Sequence, residues 1–247
     1  MLKYVLLGII QGVTEFFPVS SSAHLVILQR VLGMSENQVA VSVVLHLGTA
    51  LAVGVFFLPE VLKALRDIKI VGLIAAVTVI TGIIGFSGKD FLEQFFSPPR
   101  KAAVALLCTG AILLLTKKIK EGKREKINLK DALVLGVSQG IAIIPGISRS
   151  GITISTLLFR KVGRVKAFNF SFLAALPVIF GAVLLEAKEI GGIFQKDTLA
   201  LIVGFFCSFV SGLIALYVLK MALHKAKFHY FGYYCVLAGI LTLVFVY

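Results

Sequence analysis

The sequence predicts an all-α polytopic membrane protein built as an inverted-topology repeat, each half a re-entrant broken helix pair followed by three transmembrane helices. Three observations lead there. Hydrophobic residues make up 58% of the 247 and charged residues 15%, with a mean hydropathy of +0.99, far from the balance of a soluble domain. Apolar runs approach or reach spanning length in six places, and polar residues break two further runs. The basic residues gather in alternate connectors, as the positive-inside rule requires. No polar segment is long enough to fold outside the bilayer. Residues 1–247 therefore form a single membrane domain, with repeat one over 1–116, a basic cytoplasmic loop over 117–131 and repeat two over 132–247.

Taken in order, Leu2 to Ile10 and Leu25 to Leu32 are each too short to cross a hydrocarbon core that needs about 20 residues. With the Pro18-to-Ser22 turn between them they form a helix that enters the membrane, breaks and returns, a shape tolerated only where the turn is buried in protein or lines a wet cavity. The Met1-Leu-Lys3 start looks like the front of a signal peptide, but no A-x-A-like cleavage site follows, so the N-terminus is expected to be retained. Gly33 to Gln38 returns the chain to an interface. Val39 to Leu58 is a full span, ended by Pro59-Glu60, and an amphipathic connector with Lys63, Arg66 and Lys69 leads to the next, Ile70 to Phe86. A polar loop over Ser87 to Lys101 contains Pro98-Pro99, which stops any helix. Ala102 to Thr116 is a somewhat short third span.

After the charged stretch Lys117 to Asp131 the pattern begins again. Ala132 to Ile144 is a short apolar piece, Pro145 to Thr153 breaks it and Ile154 to Phe159 returns it. Phe168 to Ala187, Thr198 to Leu219 and Phe231 to Tyr247 complete the half. The halves share wording, Gln11-Gly12 with Ser20 nine residues after the Gln and Gln139-Gly140 with Ser148 nine after the Gln. Three crossings is an odd number, so the second half must be inverted relative to the first, with a site expected near the repeat interface. The charges agree. With the 117–131 loop cytoplasmic, seventeen of the 25 Lys and Arg fall on that face. Seven (Lys3, Arg30, Lys89, Arg100, Lys101, Lys188 and Lys196) fall on the other, and Arg149 lies between.

A formal net charge of +13 would suggest nucleic acid for a soluble protein, but here the basic residues flank apolar spans and membrane lipids are the partner. Cys108, Cys207 and Cys235 sit in apolar runs without metal-like spacing and behave as small buried hydrophobes.

The chemistry is concentrated in two polar islands. Gln11 to His24 sets a carboxylate, three hydroxyls and an imidazole inside apolar sequence, and an ionisable residue at membrane depth is a functional-site hypothesis by default. If Gln11 to Phe17 is helical, Gln11 and Glu15 are four apart and share a face. The bland reading is that Glu15 caps the serine-rich turn. Ser20, Ser21 and Ser22 could satisfy loose backbone groups at a helix break, or one could be a nucleophile with Glu15 or His24 as its base. His24 could be a satisfied interior histidine; beside three hydroxyls and a carboxylate a general base is favoured. The second island, Pro145 to Thr153, offers the planar fork of Arg149, which suits phosphate oxygens, and a turn at Gly146 able to aim N–H groups at an anion. The bland reading of Arg149 is an ion pair with Glu15, which would itself join the islands. His46, in mid-span, is a minor candidate, more often a packing or helix-linking residue.

At these residues the chain resembles the undecaprenyl-diphosphate phosphatase family, also called bacitracin-resistance proteins. The resemblance is carried by an E/Q-x-x-x-E pattern at Gln11 and Glu15, by Pro-Val-Ser-Ser-x-x-His over Pro18 to His24, and by Pro-Gly-x-Ser-Arg-Ser-Gly over Pro145 to Gly151. Phe170 to Pro177 also looks like the family's later-span signature. The chain departs from the pattern at Gln11, where many members carry Glu, so one carboxylate stands where two would. The resemblance implies hydrolysis of a C55 polyprenyl diphosphate in the plasma membrane, at a site opening toward the outer leaflet, with Mg2+ or Ca2+ as cofactor. It implies catalytic roles for Glu15, Ser21, His24 and Arg149. Gln11, Ser20, Ser22, Gly146, Ser148 and Ser150 would bind substrate phosphate, Glu15 with Gln11 would hold the metal, and a second copy of the chain is a candidate partner. The rival class is a polyprenyl-phosphate transporter or flippase, since inverted repeats with broken helices also build transporters.

In a cysteine-free background, a cysteine introduced at Lys89 should react with a membrane-impermeant maleimide on intact cells and one at Lys123 should not; the reverse pattern would overturn the orientation.

Overall fold

A computed structural model describes residues 1–33, 38–88, 99–186 and 194–245. These residues fold into helices joined by turns. In chain order they are α1 (Leu2–Phe16), α2 (Ser21–Val31), α3 (Gln38–Phe56), α4 (Leu58–Leu65), α5 (Ile68–Ser87), α6 (Pro99–Leu115), α7 (Leu129–Ile141), α8 (Arg149–Phe159), α9 (Arg164–Glu186), α10 (Phe194–His224) and α11 (Tyr230–Phe245). A short 3-10 turn at Thr116–Lys118 follows α6. The tip of the loop expected over Ser87 to Lys101 lies outside the described residues.

Three helices are long and apolar enough to cross a membrane, α5, α9 and α10, and a fourth span results if α3 and α4, bent by 70°, are counted as one. Six spans were expected. The other two, α6 and α11, are helices of 17 and 16 residues, at or just below the shortest that cross unaided. Large apolar side chains such as Ile83, Leu184, Phe206, Ile214 and Leu237 point outward, which in water would be untenable and against lipid tails is the stable arrangement.

Both broken pairs form where the sequence places them. α1 continues past Ile10 to Phe16 and stops because Phe17 precedes Pro18 and is extended (φ −62°, ψ 142°), the conformation proline imposes on its predecessor. Ser20 then takes a left-handed backbone (φ 67°), and α2 leaves in a new direction. In the second pair, α7 ends at Ile141, Gly146 turns the chain with φ 97°, and Ser148 caps α8 by accepting from the Gly151 N–H at 3.2 Å. A side chain at Gly146 would stand 2.1 Å from the Ala102 carbonyl, so this turn needs glycine twice over.

Each broken pair docks on a helix of the opposite half: α1 lies along α10, and α7 along α5. Small residues make the approach close, as usual between helices in lipid. A Cβ on Gly12 would meet Ser211 Oγ at 2.0 Å and the Ser208 carbonyl at 2.4 Å. A Cβ on Gly140 would meet Ile84 at 2.6 Å.

At the base of the second pair, buried Asp131 anchors the 117–131 segment. Its carboxylate accepts from Arg124, from Arg160 and, at 2.9 Å, from the Asn128 N–H, while Asn128 Oδ1 caps α7 through the Asp131 N–H. Arg124 also donates to the Arg160 carbonyl at 2.9 Å. Burial alone would push the Asp131 carboxyl up, but these donors outweigh it and hold it at about 2. The α7–α8 pair is thereby fixed at its foot and presents Arg149 at its tip.

Four phenyl rings, Phe16, Phe57, Phe168 and Phe172, all essentially buried, pack against one another. Their centroids are 5.1–5.8 Å apart in successive contacts, the edge and offset geometries that aromatic rings prefer.

Two outcomes follow. Gly12→Ala should destabilise the protein in detergent by about 1–3 kcal/mol through overpacking against backbone, whereas Gly72→Ala, with open space around it, should leave thermal unfolding within a degree or two of the parent. Asp131→Ala should cost about 2 kcal/mol, less than a wholly buried pair because both guanidiniums remain about a third open to solvent. Since the folded carboxyl titrates below its ordinary value, the stabilisation is complete above about pH 4 and is lost only as pH falls toward 2. Acid denaturation of the parent and of Asp131→Ala should therefore converge only below about pH 3.

Candidate active site

The turns of the two broken pairs meet, and the contact is ionic. Arg149 Nη2, at the first position of α8, donates to Glu15 Oε1 on α1 at 2.6 Å, across 134 residues of sequence. Both side chains are mostly buried, so each removes the cost of the other's isolated charge. The second carboxylate oxygen, Oε2, accepts from Ser21 Oγ at 2.7 Å and from Gln11 Nε2 at 3.2 Å. Gln11 and Glu15 do share a helix face, one turn apart, as their spacing requires. His46 Nε2, on α3, stands 3.7 Å from the same Oε2, and its Nδ1–H donates to the Ser42 carbonyl at 2.7 Å. Arg149 lies over the face of Phe172, 5.6 Å from the ring centre, a further attraction for a desolvated cation.

Two buried polar atoms of this cluster have no hydrogen-bond partner, Gln11 Oε1 and Arg149 Nη1. Buried polar groups are nearly always satisfied, so one unused acceptor and one unused cationic donor beside a carboxylate and a hydroxyl mark a place built for something else. The donor suits an anion. The acceptor suits a cation or a protonated oxygen. Among the described residues no three His, Cys, Asp or Glu side chains stand close enough to hold a metal ion by themselves; the oxygens on offer are those of Gln11 and Glu15.

The remaining sequence candidates divide. Ser20 and Gly146 join the two turns to each other, with the Gly146 N–H donating to Ser20 Oγ at 3.1 Å, and Ser20 and Ser22 share a hydrogen bond of 3.2 Å. Ser148 and Ser150 are both buried and 3.3 Å apart. The Ser148 N–H donates to Thr109 Oγ1 at 3.1 Å, and Thr109 in turn donates to the Gly146 carbonyl at 2.9 Å. These groups are engaged in fixing the second turn. His24 sits on α2 with its Nδ1–H donating to the Ser20 carbonyl at 2.8 Å and its Nε2 2.6 Å from the hydroxyl of Tyr234 on α11. Both ring nitrogens are thus engaged, neither of them by Ser21.

Tyr234, Thr109 and Phe172 were not singled out in the sequence, and His46 only weakly. Phe172 falls within the Phe170-to-Pro177 run that was noted. A usable signal existed for His46 and Tyr234, since an imidazole or a phenol inside an apolar span needs a polar partner.

With the geometry of this cluster in view, similarity to known proteins is informative. The family model described as Bacitracin resistance protein BacA matches residues 4–241. The chain is 39% identical to the Undecaprenyl-diphosphatase of Carboxydothermus hydrogenoformans, covering 97% of this chain and 95% of that one. It is 40% identical to the Undecaprenyl-diphosphatase of Halothermothrix orenii, covering 98% and 96%, and 36% identical to that of Alkaliphilus metalliredigens, covering 98% of each. The likeness thus runs nearly end to end and takes in both turns as well as the helices that hold them, so the chain belongs to the BacA family of bacitracin resistance proteins.

Proposed function

We propose that this chain is an undecaprenyl-diphosphate phosphatase: it removes the terminal phosphate of a C55 polyprenyl diphosphate, yielding undecaprenyl phosphate and inorganic phosphate, and so recycles the lipid carrier of cell-wall synthesis. The shared name of its relatives supports the activity, and the family description supports the link to bacitracin resistance. Both favour the hydrolase over the flippase. The structural observation that carries the reading is the Ser21 hydroxyl donating to a carboxylate whose other oxygen holds Arg149, with one Arg149 nitrogen left unused. A nucleophile, an acceptor for its proton and an anion holder stand in one bonded cluster.

In this mechanism the terminal phosphate engages the Arg149 fork, beginning at the unused Nη1 and drawing the guanidinium partly off Glu15. Glu15 Oε2 takes the Ser21 proton as Ser21 Oγ attacks the terminal phosphorus. The bond from that phosphorus to the bridging oxygen breaks, polyprenyl phosphate leaves, and the proton on Glu15 passes to it. Water then attacks the phosphoserine with Glu15 again accepting a proton, the bond from phosphorus to Ser21 Oγ breaks, the proton on Glu15 returns to Ser21 Oγ, and inorganic phosphate departs. Arg149 stabilises the charge on the transferring oxygens, the main contribution a protein makes to phosphoryl transfer. The engagement of both His24 nitrogens favours Ser21 over His24 as attacking group. A divalent ion, Mg2+ or Ca2+, fits if it arrives with the diphosphate: Gln11 Oε1 and Glu15 offer two oxygens and the phosphates would supply others. Bound there it would neutralise diphosphate charge.

The same reading assigns an inverted repeat and an outward-facing site. The repeat is supported by Gln11 and Gln139, Gly12 and Gly140, and Ser20 and Ser148, each pair at one constant offset in the sequence, and by the exchange in which each broken pair docks on the other half. The orientation is supported by the charge bias. The substrate headgroup then enters from the outer leaflet while the prenyl tail stays in lipid.

Phosphate release by purified protein from C55 polyprenyl diphosphate in detergent tests the reading. Arg149→Ala should abolish turnover and Arg149→Lys, which keeps the charge but loses the fork, should restore part of it. Loss of a nucleophile should remove nearly all catalysis, whereas loss of one hydrogen bond costs about 1–3 kcal/mol, roughly ten- to a hundredfold in rate. Folded Ser21→Ala should therefore retain less than about 1% of activity; substantially more would exclude serine attack.

A further inference from the structure

The mechanism above leaves His24 without a task, although it is held at both ends. A carbonyl oxygen only accepts, so the 2.8 Å contact with Ser20 puts the imidazole proton on Nδ1. Nε2 of the neutral ring is then an acceptor, and the Tyr234 hydroxyl, 2.6 Å away, donates to it. The two rings are nearly parallel, 15° between planes with centroids 5.8 Å apart. The meeting joins residues 210 apart in sequence, and the neighbours of Tyr234 fix its position. One residue on, the buried Cys235 thiol donates to the Pro18 carbonyl at 3.3 Å. One turn back, Phe231 packs on Phe17 with ring centroids 4.9 Å apart. Gly232 lets α11 approach α6 to within contact of the Gly110 carbonyl. So α11 is registered against the first turn by buried contacts on either side, while Tyr234 itself stays 46% exposed, at the open edge of the site.

We propose that Tyr234 is a positioning residue for His24, resting on the phosphatase reading for its consequence. Its hydroxyl serves both protonation states of the imidazole. It donates to Nε2 when the ring is neutral, and by rotating its proton it accepts from Nε2–H when the ring is cationic, with Ser20 accepting from Nδ1–H throughout. Neither charged group of the site can do both. A carboxylate only accepts and a guanidinium only donates. His24 is thereby held in one neutral tautomer, and Nε2 can gain a proton from bulk water or lose it again without a change of rotamer, which sets the charge His24 presents near the first turn. Tyr234 touches neither Ser21 nor Arg149 in this arrangement and acts through His24.

Tyr234→Phe isolates the hydroxyl, because the ring and its packing remain. Turnover on C55 polyprenyl diphosphate should fall about tenfold, the rate equivalent of one lost hydrogen bond to a charged or reacting group, with KM within about twofold of the parent. The limb of the pH–rate profile that Tyr234→Phe alters should be the one His24→Gln abolishes. Independently of activity, 15N NMR of histidine-labelled resting protein should show His24 as the Nδ1–H tautomer, with an Nε2 resonance displaced by hydrogen bonding that returns toward the free-acceptor position in Tyr234→Phe. Tyr234→Leu separates ring from hydroxyl and should lose no more turnover than the Phe variant. Parent-like kcat and pH profile in Tyr234→Phe, a change in KM alone, or an unchanged Nε2 resonance would each overturn the proposal. Failure of the parent to release phosphate would instead overturn the phosphatase reading and leave the NMR result standing.

Discussion

The ion pair between Glu15 and Arg149 is the constraint on which the rest of the structure depends. A carboxylate and a guanidinium at the turns of two broken helix pairs are each costly in an apolar surround, and each is tolerable because the other is 2.6 Å away. The turns must therefore meet. The bond from the Gly146 N–H to Ser20, the Thr109 bridge behind Gly146 and the clamp at Asp131 all serve that meeting by fixing where the second turn stands. Glycine contacts at Gly12 and Gly140 bring the first helix of each pair within backbone distance of its support. An arginine already occupied by a carboxylate is also less open to stray anions, so only a ligand offering more charge than one carboxylate can draw it away.

Polar residues in this chain fall into two populations that the sequence does not distinguish. Ser148, Ser150 and Thr109 lie beside the site but are spent on one another and on the backbone, as hydroxyls at helix breaks commonly are. Gln11 and Arg149 each keep one buried atom without a partner. Gln139 and Ser155, outside the cluster, also keep an unpartnered atom, so what separates chemistry from scaffold is the meeting of unused groups with a carboxylate and a hydroxyl, and that is a property of three dimensions.

Much of the helix plan was nonetheless legible. Pro18 and the Pro145-Gly146 pair break the two short runs where the structure breaks them, because proline and glycine act locally. The i, i+4 spacing of Gln11 and Glu15 was enough to place them together, and the ion pair of Arg149 with Glu15, the bland reading beside an anion-binding role, is the one the structure holds. What could not be read was set by distant contacts. The stop at Pro59-Glu60 and the amphipathic connector after it were legible and are the junction of α3 with α4, where Pro59 lies in the first turn of the second helix, but the 70° angle between the two was not. The docking of α11 on the first turn, which gives His24 its tyrosine, depends on packing against α6 and leaves no periodicity in the sequence. The two arginines on Asp131 come from a loop and from the far end of α8, and nothing local to Asp131 announces either.

The four-phenyl layer has a bearing on the packing as well as on the reaction. Phe16, Phe57, Phe168 and Phe172 come from α1, the junction of α3 with α4, and α9, so parting them would mean moving those elements and breaking aromatic contacts worth about 0.5–1.5 kcal/mol per pair beyond their buried area. Phe172 lies under the Arg149 guanidinium, so the same layer gives the charges at the two turns a low-dielectric surround, in which they act on one another and on any arriving anion more strongly than they would in water.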